Sequence, residues 1–173
     1  METDRERRDL TAVYAPGPGP NPAHANVARS TNGQLRIEFF GDQMPPYMEV
    51  MICDEKTHRA VELDPDAHAF WRLEDEIGPP PWLSMPSSRM EDTSETKFLS
   101  GVRCRLYRAA GSGEIWVAED LGITMRQSEV FEGIDQITLQ VSSLTVGEPD
   151  PKLFLIPASG ATRMGGIVLS ARA

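Results

Sequence analysis

The sequence predicts an all-β or β-dominated (α+β) protein: a curved antiparallel meander sheet of about eight or nine strands, forming an unclosed half-barrel with a Pro-rich flap. Three observations lead there. From Gln34 onward apolar and polar residues alternate with period two, the pattern of strands that bury one face. Turn residues punctuate these runs at short intervals, as in Asn32-Gly33, Asp64-Pro65-Asp66, Gly111-Ser112-Gly113 and Glu119-Asp120-Leu121-Gly122, so that neighbours in sequence pair as neighbours in the sheet. Helical periodicity is confined to charge pairs such as Asp4 and Arg8 near the start and to one turn across residues 149–154.

Taken in order, residues 1–33 form a charged and Pro/Gly-rich segment, with Leu10, Ala12 and Tyr14 alternating as a first edge strand before the prolines. Residues 34–157 form the β domain. Leu35, Ile37 and Phe39 share one face; Met48, Val50 and Ile52 form the next. The opposite face of that second run carries Met51 and Cys53, so this strand is expected to be covered on both sides. Two further runs, 58–63 and 67–73, join through the Asp64-Pro65 turn. Residues 74–94 break the pattern with Gly78-Pro79-Pro80-Pro81-Trp82, and their apolar Trp82, Leu83 and Met85 suit a flap lying over the concave side. Val102, Cys104 and Leu106 resume the alternation, followed by strands at 114–118 and 123–131.

The last long strand begins at Ile134. Ile137, Leu139 and Val141 alternate, and the apolar positions then resume at Leu144 and Val146 with their parity shifted across Ser142 and Ser143, which predicts a β-bulge that bends the strand. Gly147-Glu148-Pro149-Asp150-Pro151 ends it. Residues 158–173 form a tail whose one apolar patch, 167–169, suits an edge strand.

The length of 173 residues is that of one domain, and 40% apolar with 25% charged residues is an ordinary globular composition. A net charge of −9 repels nucleic acid and anionic headgroups, so no nucleic-acid partner is expected. No apolar run approaches the roughly 18 to 20 residues that span a bilayer, so the chain is not expected to be membrane-embedded. The first ten residues lack the apolar core of a secretory signal, which fits either a cytosolic protein or the mature form of an exported one. Cys53 and Cys104 each sit in a predicted strand and suit small core hydrophobes, with a disulfide as the alternative.

Three stretches carry a family likeness. VMICDEKTHRAVELDPDAHAFW (50–71), EIWVAEDLGITM (114–125) and TVGEPDPKLFLIP (145–157) together resemble the outer-membrane lipoprotein-carrier-like (LolA-like) group of bacterial envelope proteins. The resemblance implies an unclosed, strongly curved sheet that holds acyl chains, lipoproteins or other apolar ligands on its concave face, in the periplasm or cell envelope. It brings no catalytic residue.

The residues themselves give little chemistry. His58 and His68 flank an acidic turn without the spacing of a zinc signature. Glu74-Asp75-Glu76 and Glu119-Asp120 lie where solvated turns are expected, and Ser112 lacks a nucleophile elbow. Arg103, Arg105 and Arg108 suit cross-strand pairing with Glu114 or Glu119. Neither enzyme activity nor a metal or other cofactor is expected. The constellation that stands out is apolar: Phe40, Met48, Met51, Phe70, Trp71, Trp82, Met85 and Trp116, with Phe98 beside them. Met and aromatic side chains make an adaptable lining for an apolar small molecule, lipid or lipoprotein, and the same residue types equally fill a core. The expected function is therefore non-catalytic binding of an apolar ligand, acyl chain or lipoprotein segment on the concave face. The alternative is a protein–protein interaction or scaffold domain of the envelope.

Overall fold

The computed structural model describes residues 8–16, 24–40, 50–57, 59–64, 69–73, 86, 90–109, 113–156, 161–164 and 167–169. Alternation of apolar residues becomes alternation of burial. Leu10, Ala12 and Tyr14 are buried in β1 (Leu10–Pro16), and Leu35 and Ile37 in β3 (Gln34–Phe40). Cys104 and Leu106 are buried in the same way in β8 (Val102–Ala109). The other strands are β2 (His24–Arg29), β4 (Val50–Asp54), β5 (Arg59–Asp64), β6 (Ala69–Leu73), β7 (Glu91–Leu99), β9 (Gly113–Ala118), β10 (Ile123–Phe131), β11 (Ile134–Val146), β12 (Ala161–Met164) and β13 (Ile167–Leu169). Among the described residues one 3₁₀ turn is present, spanning Pro151–Phe154, where the sequence placed a turn.

These thirteen strands form one sheet in the order β13-β12-β6-β5-β4-β3-β2-β1-β11-β10-β9-β8-β7. Every neighbouring pair is antiparallel except β12 with β6. The sheet has two ends, β13 and β7, and does not close into a barrel.

The sheet curls. If it were flat, β2 and β10 would lie three strand spacings apart, about 14 Å. Yet the Arg29 guanidinium at the end of β2 donates to the carbonyls of Leu121 and Gly122 in the β9–β10 turn. The Tyr14 hydroxyl of β1 donates to the Thr124 carbonyl of β10 at 3.0 Å. Curling brings residues of β1 to β5 and of β8 to β11 into one continuous apolar core on the concave side.

β11 is the strand on which the two halves turn. Residues 134–140 pair with β10 and residues 139–146 pair with β1. Each ladder is broken by a bulge: Ser142 is the extra residue opposite Val13 and Tyr14, and Thr138 is the extra residue opposite Gln127 and Ser128. Both extra residues carry hydroxyls, and each donates to a carbonyl of the facing strand, Ser142 to Val13 at 3.1 Å and Thr138 to Gln127 at 3.5 Å. The parity shift in the sequence marked the first bulge; the second is masked there, because Ile137 and Leu139 keep their alternation through it.

Four elements differ from expectation. β1 is not an edge strand but lies at the centre of the sheet between β11 and β2. β2, in a segment read as linker, has only Ala and Val as apolar residues, yet Ala25, Val27 and Ala28 are buried because both its neighbours are strands. β7 begins at Glu91, inside the segment assigned to the flap; its side chains are mostly exposed, so no apolar alternation announces it. The tail supplies two strands rather than one. The rest of the flap, apart from Pro86 and Met90, lies outside the described residues. β4 is buried on both faces as expected. The 3₁₀ turn packs on the neighbouring β3, where the Arg36 guanidinium donates to the Leu153 carbonyl at 3.0 Å.

Candidate functional site

Backbone register gathers part of the predicted lining into one lateral row on the concave face. Val27, Ile37, Met51, Glu62 and Trp71 stand opposite one another in turn across β2 to β6. Met51 is only 6% exposed and belongs to the continuous core, and Glu62 beside it is buried as well. Trp116, at 4% exposure, enters the same core from β9. The two lining candidates whose side chains are described therefore pack as core. Phe40 is the last residue of β3, and Phe70 and Trp71 lie in β6, but only their backbone is described; Met48, Trp82 and Met85 fall outside the described residues. Phe98 does not join the lining. It is 73% exposed on β7, opposite Arg103.

Two arginines of β8 find partners the sequence suggested, Arg105 on the outer face and Arg108 near the strand end on the inward parity of Cys104 and Leu106. Arg108 pairs with Glu114 at 2.7 Å, and Arg105 bridges Asp92 at 2.7 Å and Glu119 at 3.2 Å. Tyr107 donates to Glu119 at 2.8 Å. Burial and then this carboxylate push the Tyr107 hydroxyl up to about 12. The Ser94 amide and then Arg105 hold the Asp92 carboxyl below its ordinary value.

The concave rim at β7 holds an arrangement the sequence did not announce. Lys97 faces inward from the edge strand and places its ammonium 3.6 Å from the centroid of the Trp116 ring. Arg126 stands directly opposite Trp116 in the β9–β10 register, just past a third bulge at Met125. Both cations are half-buried. Partial burial, then the charge of Arg126, lowers the pKa of Lys97, while Glu114 and Glu95 act in the opposite sense. A lysine in the polar run EDTSETKFL gave no sign of this contact, because it depends on how β7, β8 and β9 align.

Cys53 and Cys104 are free and buried. Burial pushes the Cys53 thiol up to about 11, with Glu55 adding to the shift, and burial raises Cys104 too. Neither is poised as a nucleophile. Among the described residues no three His, Cys, Asp or Glu side chains are grouped to hold a metal, and no helix is long and apolar enough to cross a membrane. His58 and His68 lie outside the described residues.

No protein-family model matches the sequence, and no curated protein does. The chain is similar in structure to PNGF-II, with a TM-score of 0.54 and 14% sequence identity over 90% of this chain. That match covers 32% of the PNGF-II chain, so this chain spans about a third of it. At this identity the likeness is one of fold: an unclosed, almost wholly antiparallel sheet.

Proposed function

We propose that the protein is a non-catalytic interaction module that docks another polypeptide on the exposed edge of its sheet, with β7 as that edge. The observation that carries this reading is how the apolar side chains divide. Met51 and Trp116 are packed into a continuous core, whereas Phe98 on the terminal strand is 73% exposed. Among the described residues β7 is hydrogen-bonded to β8 on one side and has no strand on the other. A bulge at Ser94, whose φ is 60°, interrupts its first half, which leaves residues 96–99 as the regular stretch open to an added strand. Selection from a random peptide display library against the folded protein tests this. Extended peptides whose binding is weakened by Phe98→Lys are the expected result; recovery of no peptide, or only of peptides indifferent to Phe98→Lys, would overturn it.

A second reading follows the LolA-like resemblance: an apolar ligand, acyl chain or lipoprotein segment held on the concave face, in the envelope. What favours it is the lateral row that runs from Ile37 through Met51 and Glu62 to Trp71, towards the β6 side of the sheet. Native mass spectrometry for co-purified lipid checks it, together with uptake of a fluorescent fatty acid. Unchanged uptake by Trp71→Ala and Trp82→Ala variants would remove it.

A further inference from the structure

We propose that the tip of the β10–β11 hairpin is a second docking surface, one that a basic polypeptide with apolar residues among its cations closes around. This goes beyond the β7 reading and stands on different residues.

The first ground is projection. β9 pairs with β10 only as far as Ser128, and β1 reaches β11 only from Leu139. Residues 129–131 and 134–137 therefore pair with each other alone among the described residues. Three residues of strand carry the hairpin about 10 Å past the end of β9. A two-stranded finger has no core of its own in which to bury apolar side chains. Val130 is accordingly 51% exposed and Ile134 63% exposed. Val130 stands opposite Asp135 and shares its face, whereas Ile134 stands opposite Phe131 and shares the other face with Glu129. A flat partner would cover one of these faces. Covering both takes a chain that wraps the tip.

The second ground is charge. Between Arg126 and Lys152 the sequence holds five acids and no Lys, Arg or His. Three of those acids, Glu129, Glu132 and Asp135, are exposed on the finger. Glu129 accepts from the Gln127 side-chain amide at 3.0 Å, and among the described residues Glu132 and Asp135 have no hydrogen-bond or ion-pair partner. Each exposed apolar residue thus shares its face with an acid, and a third acid sits at the apex. This charge turns the tip away from anionic lipid, and from a second copy of a chain that carries −9, and towards cations.

The third ground is the apex. Glu132 and Gly133 adopt φ of 51° and 79°. Positive φ at both central residues of a two-residue hairpin turn favours Asn, Asp or Gly at the first of them, and glutamate is strained there. The strain secures no contact for the Glu132 carboxylate within the described fold, which points to a contact outside it.

The test uses the folded full chain and displayed random peptides, sorted by their dependence on the tip. Val130→Thr/Ile134→Thr removes the apolar surface but keeps β-branched residues at exposed positions. Retained circular dichroism and melting temperature show that this double variant is folded, and the single Ile134→Thr variant repeats the measurement should it not be. Peptides weakened about tenfold or more by this variant, and not by Phe98→Lys, should be rich in Lys or Arg with apolar residues among them. Glu132→Asn should raise the melting temperature by about 1 to 3 °C, because Asn suits the turn, and should weaken the same peptides by about three- to tenfold. A higher melting temperature with unchanged affinity makes Glu132 a turn residue only and overturns the proposal, as does a tip-dependent set without basic residues. Binding to phosphatidylcholine vesicles that the double variant loses, in place of peptide binding, makes the tip a membrane contact and overturns it too. Peptides that depend on Phe98 alone leave the β7 module standing and remove this inference; peptides that depend on the tip alone do the reverse.

Discussion

Replacing Arg29 by Met tests the tie that holds the curled sheet together. The side chain is 1% exposed and carries its charge into the core margin, where it donates to the carbonyls of Leu121, of Gly122 at 3.4 Å and of Arg8 at 3.3 Å. Methionine keeps the apolar stem and removes every donor. The carbonyls cannot be removed with it, so the substitution differs from exchanging a whole ion pair for apolar residues, which is often neutral. A hydrogen bond from a charged donor contributes about 1.5 to 3 kcal/mol, and two of these three are long. Allowing for the recovered cost of burying the cation, the net loss is about 3 kcal/mol. The unfolding entropy of a 173-residue chain is about 0.36 kcal/mol/K, so the melting temperature should fall by about 8 °C. Arg29→Lys, which reaches fewer carbonyls at once, should fall between. Differential scanning calorimetry measures all three proteins. A melting temperature for Arg29→Met at or above that of the parent would refute the claim that this cation ties β2 to the β9–β10 turn.

Other expectations follow from single contacts. A Cβ on Gly113 would meet the Ser128 carbonyl oxygen at 2.0 Å, and its φ is +99°, so Gly113→Ala should cost about 2 to 4 kcal/mol; Gly101→Ala, at φ +77° with open space around it, should cost only about 1 kcal/mol of backbone strain, and equal urea midpoints for the two would contradict this. A thiol-reactive dye at pH 8 should label neither cysteine in the folded protein and both after denaturation; rapid labelling of native Cys53 or Cys104 would show that the core is open there. Tyr107 and the buried Tyr14 both have hydroxyls raised above the ordinary 10, chiefly by burial. Their protonated forms are favoured by folding, so that contribution is complete below pH 10 and is lost as the pH rises through 10 towards 12 and beyond. Phenolate absorbance should therefore lag behind a free tyrosine until the chain unfolds, and ordinary titration of both in a protein with native circular dichroism would count against these placements.

Much of the architecture was legible because strands leave a local record. Period two gave the paired faces of β3, β4 and β8 to β11, and the parity shift at Ser142 gave the bend in β11. β2 and β7 were not legible for opposite reasons. Ala25, Val27 and Ala28 are too small to register as an apolar strand, although both neighbours bury them. The side chains of β7 are mostly exposed, so burial imposes little pattern on its sequence. The candidate site shows the same divide. Met51 and Trp116 were recognisable as apolar inward positions, but whether such residues line a space or fill it depends on what the opposite half of the sheet brings against them.

Local spacing was enough to specify an antiparallel sheet, its main turns, one bulge, and the pairing of Arg105 and Arg108 with acids that follow them in the meander. These are contacts between neighbours in a meander, and spacing encodes them. The central place of β1, the reach of Arg29 to the turn about ninety residues away, and the position of Lys97 over Trp116 beside Arg126 emerge in the assembled sheet alone. Each of these depends on how far the sheet curls and on which strands that curl brings together, a property of the whole ladder that no local run of residues records.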